Sequence, residues 1–371
     1  MKKIIFEGYY GYKNTGDDAF VEVAAWGAAK YWQCSNNFFV GQHLPETVHE
    51  AAGLRNQVFP GQHKLESMYR LSSADAVVSA GGSTFEKIQN RSHFRSVSAL
   101  KKRYSSGFKL GAIGVSLGPY KSIAHEKSIV EYLKRLDFLA LRDVYSYELA
   151  LSYHLPYKPI NAFDLAALLP RIYNGSIPPV QQGQQKVIGI SVCYFERYRD
   201  ITKLSNEDRR TQYLLRLLHS LAKNLNVTLR FIEFNGNASK GDTQLTLSVI
   251  SHLRSQGVEN VEFVPYNPNT SCMYRQLVSC DVVLSVRLHA SIFACFAGVP
   301  FFLVEYHRKC KDFLDSVGYH EAYRLGDGTQ DIRKTTEQIA AVLDGSGPYL
   351  QPTLMADCQA RSERNFTEVI V

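Results

Sequence analysis

The sequence predicts an α/β fold made of two doubly wound units with a central cleft between them. Three observations carry this expectation. Short apolar runs rich in β-branched and aromatic residues alternate with longer segments of helical periodicity. Each run empties into a glycine-containing or polar loop, and the alternation stops at a Gln/Pro-rich stretch and then begins again. A chain of 371 residues that is 45% hydrophobic and 21% charged fits two domains, each able to bury a core without disulfides or a structural metal.

In the first half, residues 3–9 read as a strand, followed by a Gly/Asn loop and a helix over 18–31. Residues 76–79 run into Gly81-Gly82, 109–115 into Gly118-Pro119, and 138–141 into Arg142-Asp143. Residues 171–186, RIYNGSIPPVQQGQQK, contain Pro178-Pro179 and several glutamines, which neither a helix nor a central strand accommodates. The pattern then restarts, with strands at 187–193, 227–233, 261–264, 281–286 and 301–304 and helices at 208–225, 243–254, 271–278 and 290–297. The expected organisation is a first domain over 1–170, a linker over 171–186, a second domain over 187–330, and a closing helix (331–343) with a tail to 371. In such folds ligands bind beyond the carboxyl ends of parallel strands, here in the cleft between the halves.

Composition narrows the function. Lys and Arg (42) outnumber Asp and Glu (35), for a formal net charge of +7. A mild excess without a polybasic block gives nucleic-acid binding little support. It suits either plain solubility or anionic partners such as phosphorylated substrates or an acidic membrane face. The seven cysteines include no C-x-x-C pair, which argues against a zinc site or a disulfide framework and for a reducing compartment. Only Ile4, Ile5 and Phe6 separate Met1-Lys2-Lys3 from Glu7, too few for a secretory leader. The longest apolar stretch, 288–304, is broken by Gly298 and Pro300 and falls short of the roughly 20 residues of a membrane span. A cytoplasmic protein is expected, one able to work at the inner face of the cell membrane.

Four constellations are candidates for chemistry. GYYGYKNTGDD, residues 8–18, is a glycine-spaced turn between strand and helix. There, free N–H groups with Asn14, Thr15, Gly16 and Asp17 face an anionic ligand, or else form a tight turn with an acidic cap. Its spacing matches neither the dinucleotide fingerprint nor the Walker loop. Gly81-Gly82-Ser83-Thr84 allows backbone to approach a ligand or another segment, with a capped strand-to-helix turn as the competing reading. In DVVLSVRLHA, residues 281–290, a strand ends in Arg287, Leu288 and His289. At extended i, i+2 spacing the guanidinium and imidazole project to one side. The first suits a carboxylate or phosphate and the second exchanges a proton near neutrality. The competing reading is an interdomain ion-pair Arg beside a structural His. Finally EYHRK, 305–309, places His307, Arg308 and Lys309 at another strand end, as an anion site or a solvated loop.

In chain order, GYYGYKNTGDDAF, GGSTFEK (81–87), GVSLGP (114–119), LRDVYSYELA (141–150), Asp164 in DLAALLP, GISV (189–192), Asp242, RLHASIFACFAGVP (287–300), and Tyr306 with Lys309 resemble the polysaccharide pyruvyl transferase family. The resemblance covers residues 4–315 and implies two Rossmann-like domains in a GT-B-like arrangement, acceptor side first and donor side second. It implies transfer of the pyruvyl group of phosphoenolpyruvate onto two hydroxyls of a free or lipid-linked saccharide, as in surface or exopolysaccharide biosynthesis, with no metal or other cofactor. On that resemblance His289 is catalytic, and Arg287, Leu288 and Lys309 bind the donor. Two positions depart from the pattern: Cys193, where relatives often carry Arg, and Ala80, where a third Gly is common. Arg197 or Arg199 is the candidate replacement cation. A nucleotide-sugar glycosyltransferase and a non-catalytic carbohydrate-binding relative are the rival functions for the same scaffold.

Overall fold

The computed structural model describes residues 2–86, 93–173 and 185–371. Lys87 of the GGSTFEK segment and positions 174–184 of the expected linker lie outside the described residues. The first unit runs β1 (Ile4–Glu7), α1 (Thr15–Trp32), β2 (Asn37–Phe39), α2 (Gln62–Ser73), β3 (Ala76–Phe85), α3 (Phe94–Tyr104) and β4 (Lys109–Leu117). It continues through α4 (Ile123–Leu133), β5 (Phe138–Leu141), α5 (Val144–Ser152), β6 (Ile160–Asn161) and α6 (Leu169–Tyr173). Its strands form a parallel sheet in the order β2-β1-β3-β4-β5-β6.

The second unit comprises β7 (Lys186–Ser191), α7 (Glu196–Arg199), α8 (Leu204–Asn224), β8 (Val227–Ile232), α9 (Thr243–Ser255) and β9 (Val261–Val264). It is completed by α10 (Thr270–Val278), β10 (Val282–Ser285), α11 (Leu288–Ala297), β11 (Phe301–Leu303), α12 (Arg308–Ser316) and α13 (Ile332–Asp344). This sheet is also parallel, in the order β11-β10-β7-β8-β9. The segment expected as a closing helix and tail divides. Helix α13 packs on α8, whereas α14 (Met355–Thr367) crosses back to α1 and β4 of the first unit.

Burial on both faces explains why β1 (IIFE) and β10 (VVLS) read as continuous runs rather than alternating ones. Helix α1 is buried on nearly every side, because the first sheet, α14, α10 and α11 all contact it, so it needs no amphipathic stripe. One apolar core joins the units, with Phe163 edge-on to Phe296 at 5.7 Å and Tyr173 against Tyr274 at 5.1 Å. Asn365 of α14 accepts from Gly114 N (2.7 Å) and donates to Phe163 O (2.9 Å), and Trp32 Nε1 donates to Phe366 O (3.1 Å).

Both sheets reverse direction once. In the first, β2 lies to one side of β1 and the later strands to the other; in the second, the reversal falls between β7 and β10. Crevices open at the carboxyl ends of such reversals. Here the two crevices meet, because Thr15 N donates to Phe234 O (2.8 Å), Gly236 N donates to Lys13 O (2.9 Å) and Asn14 bridges Asn235.

Two departures from the sequence reading bear on the site. Strand β3 does not stop at Ser79 but continues to Phe85, with a register shift against β4 between Gly82 and Phe85. Gly81 therefore lies within the sheet at φ +74°, and the segment that approaches it is Phe20, whose ring would meet a Cβ at 2.3 Å. Strands β2 and β6 have only three and two residues, too few to show a period.

Candidate active site

Strand β10 ends at Ser285 and α11 begins at Leu288, so Arg287 is the helix N-cap and His289 lies in the first turn. The extended spacing expected for the pair is thus broken, and their side chains diverge onto different partners. Arg287 grips the buried carboxylate of Asp242 with two nitrogens, Nε at 2.9 Å from Oδ2 and Nη2 on Oδ1. The fork expected to receive a ligand is committed, and among the described residues only Nη1 has no hydrogen bond. Burial works against the charge of Arg287, but Asp242 outweighs it and holds the guanidinium above its usual range.

His289 reaches the other way, over the start of α1. Its ring stands edge-on to Phe20 at 5.2 Å and lies where a Cβ on Gly16 would come within 2.3 Å of Nδ1. Gly16 is the residue that makes room for the imidazole. Nε2 is buried 3.7 Å from Asp164 Oδ2 and has no hydrogen-bond partner among the described residues. Neither side chain is sealed: Arg287 is 22% and His289 20% exposed.

Asp164 belongs to a layer of polar groups that the sequence reading did not assemble. It accepts from Ala166 N (3.0 Å) and from Arg142 Nη1 (2.7 Å). Burial alone would raise its carboxyl, but Arg142 and then His289 hold it at about 2. Arg142 follows β5 directly and also donates to Ser116 Oγ (2.8 Å) and Ser83 Oγ (3.1 Å). From the opposite unit Lys309 Nζ donates to the same Ser83 Oγ at 2.7 Å. Two residues singled out separately in the sequence, Ser83 and Lys309, are thereby brought together. Burial, then Arg142 and Arg199, push the Lys309 ammonium down to about 8, and among the described residues no carboxylate lies within ion-pair distance of it. A pocket of about 500 Å³, counted out to its mouth, is lined by Ser116, Arg142, Asp164, Leu288, Arg308 and Lys309.

The GYYGYKNTGDD loop serves mainly as a junction. Thr15 N is taken by Phe234 O, Gly16 N by Asn14 Oδ1 (3.1 Å) and Asp18 N by Asn14 O (2.8 Å), so the expected row of free donors is spent on the cap and the neighbouring unit. Thr15 Oγ1 is buried with no hydrogen-bond partner among the described residues. Asp18 turns to the Tyr266 hydroxyl at 2.8 Å. Asp17 stays in the cleft, where burial pushes it up to about 6 although His289, Arg142 and Arg287 all pull it down.

The cationic run at 305–309 is also modified. His307 caps α12 by accepting from Lys309 N at 3.1 Å, and burial, reinforced by Lys309 and Arg308, pushes its imidazole down to about 4. It is neutral at physiological pH rather than part of an anion site. Arg308 lies on the Tyr145 ring at 3.7 Å at the pocket rim. Arg197 turns to Glu207 (3.3 Å) and the Tyr194 ring (3.9 Å), away from the role of replacement cation, while Arg199 crosses to Glu86 of the first unit at 3.3 Å. Cys193 is buried and its thiol is pushed up to about 11. Of the residues missed, Arg142 left a usable signal, a cation placed immediately after an apolar parallel strand.

Two parallel α/β units with polar groups converging between them define a protein of the GT-B architecture. The chain belongs to the polysaccharide pyruvyl transferase family, whose model matches residues 14–308. Similar solved structures include the UDP-GlcNAc 2-epimerase of Methanocaldococcus jannaschii, with TM-score 0.59 and 9% identity over 98% of each chain. An α,α-trehalose-phosphate synthase (UDP-forming) from Burkholderia xenovorans in complex with glucose-6-phosphate aligns with TM-score 0.55 and 12% identity over 99% of this chain and 97% of that one. Anabaena HepE in complex with UDP and glucose gives 0.53 and 14% over 99% and 96%. At these identities the likeness is one of fold alone. No curated protein matches the sequence.

Proposed function

We propose that this protein transfers the pyruvyl group of phosphoenolpyruvate onto two hydroxyls of a saccharide, forming a cyclic ketal and releasing phosphate. The observation that supports this reading is Lys309, an ammonium with no carboxylate at ion-pair distance among the described residues, which meets Arg142 on Ser83, Arg142 in turn holding the Asp164 that faces His289. Phosphoenolpyruvate is a compact anion. Lys309, the open Nη1 edge of Arg287 and the first turn of α11, which has no side-chain cap, are the groups that oppose its charge.

His289 acts as the general acid, delivering a proton to the methylene carbon so that positive charge develops at C2. One saccharide hydroxyl adds at C2, the C2–O bond to phosphate breaks, and the second hydroxyl closes the ketal. One hydroxyl proton restores the acid and the other leaves with phosphate. Asp17, raised to about 6, is the group suited to receive a hydroxyl proton on its way. Asp164, ionised and 3.7 Å from Nε2, supports the imidazolium.

The experiment is incubation with isotopically labelled phosphoenolpyruvate and a panel of oligosaccharides, followed by mass analysis for the added ketal. Phosphate release with a labelled ketal is the expected result. Release of nucleoside diphosphate from a sugar nucleotide, with no ketal formed, would replace this reading with the glycosyltransferase alternative that the UDP-binding fold neighbours suggest.

The acceptor is proposed to be lipid-linked and the protein to work at the inner membrane face. Among the described residues no helix is long and apolar enough to cross a membrane. Supporting the reading, α2 and α3 carry Leu65, Tyr69, Leu100 and Tyr104, each more than half exposed, with Val58 and Phe59 just before them. Lys101 of α3 reaches the carboxyl end of α2, donating from Nζ to Leu71 O (2.6 Å) and Ala74 O (2.7 Å), and Lys64 and Arg103 flank the apolar positions in sequence. Apolar insertion with a basic rim suits an anionic bilayer. Sedimentation with vesicles of phosphatidylcholine and phosphatidylglycerol, lost in Leu65→Ser/Tyr69→Ser, is expected; equal recovery without vesicles would remove the membrane from the reading.

A further inference from the structure

The same loop that places Gly16 under His289 carries two aromatic rings toward solvent. Tyr9 and Tyr12 stack at 4.1 Å with an interplanar angle of 13°, and each is 48% exposed. Large apolar rings are ordinarily buried, and this pair is left half open at the edge of the cleft. Its position is fixed from both sides. Gly11, at φ +79°, lies so close to the Gln42 carbonyl that a Cβ would fall 1.6 Å from its oxygen, and the buried Tyr10, next to Tyr9 in sequence, donates to Ala80 O at 2.7 Å. Lys13 O, the next carbonyl, is held by Gly236 N of the other unit at 2.9 Å. The rings are thus presented by a backbone that cannot easily fold them away.

Geometry relates the pair to the reacting groups. Three residues lie between Tyr12 and Gly16, so the four steps of chain limit their Cα separation to about 14 Å, the span of one or two sugar rings. Burial raises the Tyr9 phenol first, then Tyr12 and Asp17, with Arg199 opposing. Tyr12, Asp17 of the first unit and Arg199 of the second are thus all near enough to act on the Tyr9 phenol. A flat apolar face edged by phenol hydroxyls beside charged groups matches a pyranose ring, which offers C–H bonds on one face and hydroxyls around its rim.

We propose that Tyr9 and Tyr12 form an aromatic subsite that stacks on a pyranose unit of the acceptor and so selects among saccharides. It deepens the reading of the protein as a saccharide-modifying transferase and rests on that reading for its biological role. These residues are binding residues, and His289 and Lys309 would act without them on an acceptor supplied at saturation.

The test is saturation-transfer NMR on the full chain with methyl β-galactopyranoside, whose C3, C4 and C5 hydrogens share one face, alongside calorimetric titration with phosphoenolpyruvate. Tyr9→Ala and Tyr12→Ala should each weaken sugar binding about three- to tenfold, while Tyr9→Phe and Tyr12→Phe retain it, because the face and not the hydroxyl carries the contact. Phosphoenolpyruvate affinity and the melting temperature should stay unchanged in all four. Sugar signals undiminished in both alanine variants, or lost equally in the phenylalanine variants, would overturn the subsite. Failure of the unaltered protein to bind phosphoenolpyruvate would instead sink the donor reading while leaving the sugar contact measurable, so the two failures are distinguishable.

Discussion

Gly16→Ala isolates the placement of one ring. The second residue of α1 has no positive φ, so alanine suits its backbone and adds about 0.5–1 kcal/mol of helix preference. Its new methyl, however, would lie 2.3 Å from His289 Nδ1 and 2.6 Å from Cγ. Carbon and nitrogen atoms need about 3.5 Å, so the imidazole has to withdraw by about 1 Å. It cannot simply slide, with Phe20 edge-on at 5.2 Å and Asp164 3.7 Å beyond Nε2. A displacement of this size in a proton donor costs on the order of 100-fold in turnover, about 2.7 kcal/mol of activation free energy. Steady-state phosphate release, calorimetric affinity for phosphoenolpyruvate and thermal unfolding should be measured on the same preparation. The expected pattern is kcat down about 100-fold, donor affinity within about threefold, and a melting temperature lower by a few degrees at most, because overpacking costs about 1–3 kcal/mol against the helix gain. A folded Gly16→Ala protein with ordinary turnover would refute the assignment of His289 to the chemical step.

Three further outcomes follow from the charge arrangement and the fold. Arg287→Ala leaves the buried Asp242 carboxylate without its counter-ion and should lose about 3–5 kcal/mol of stability in denaturant titration. Adding Asp242→Asn should recover the stability but not the phosphoenolpyruvate affinity, and recovery of both would make Arg287 purely structural. Lys309, at about 8 against an ordinary 10.5, loses its proton as pH rises through about 8, whereas a bound anion favours the charged form. The donor dissociation constant should therefore rise roughly tenfold per pH unit above that point. The stability effect has the opposite sign, since the folded value lies below the unfolded one: the charged lysine penalises the fold below about 8, and the penalty disappears between about 8 and 10.5. A flat binding profile through pH 9, or the same slope in Lys309→Met, would exclude this lysine. Asn365→Ala strands Gly114 N and Phe163 O in the buried interior and should cost about 1–3 kcal/mol for each, read as a fall of several degrees in melting temperature.

The architecture was legible because parallel strands write themselves as short apolar runs, and a site at a strand's carboxyl end is implied by the same pattern. That reasoning pointed to Arg287 and His289, which follow the end of β10, and to Lys309, six residues beyond β11; Ser83, expected past a strand end, lies within β3 instead. It failed where function depends on which strand ends meet. Asp242 lies 45 positions from Arg287, and Asp164 lies 22 from Arg142; only the strand orders of the two sheets bring these pairs together. The i, i+2 argument for Arg287 and His289 assumed extended backbone, but α11 begins between them and rotates the imidazole toward α1. Nor does the composition of residues 355–367 reveal that their helix belongs to the first sheet, since Asn365 and Phe366 acquire their role from Gly114 and Trp32.

The cysteine at position 193 tests how charge is apportioned in the cleft. An anion site needs positive charge that the protein has not already neutralised, and a count of arginines overstates it. Arg287 is matched by Asp242, Arg142 by Asp164, Arg210 by Glu196 and Asp327, and Arg199 by Glu86. The Cys193 thiol, pushed up to about 11 by burial, sits among the opposed fields of Arg287, Asp242, Arg210 and Glu207 and adds no charge of its own. A guanidinium at that position would enter surroundings that are already paired, and it would need a carboxylate or a ligand to settle there. Lys309 differs because its contact is a neutral hydroxyl, Ser83, and burial keeps it poised to lose its proton near pH 8. In the proposed donor site the arginines then fix geometry, while the lysine supplies the charge that an incoming dianion completes. On the proposed donor site, Lys309 beyond the end of β11, together with the open edge of Arg287, would supply the charge that a cation at position 193, beyond β7, does not.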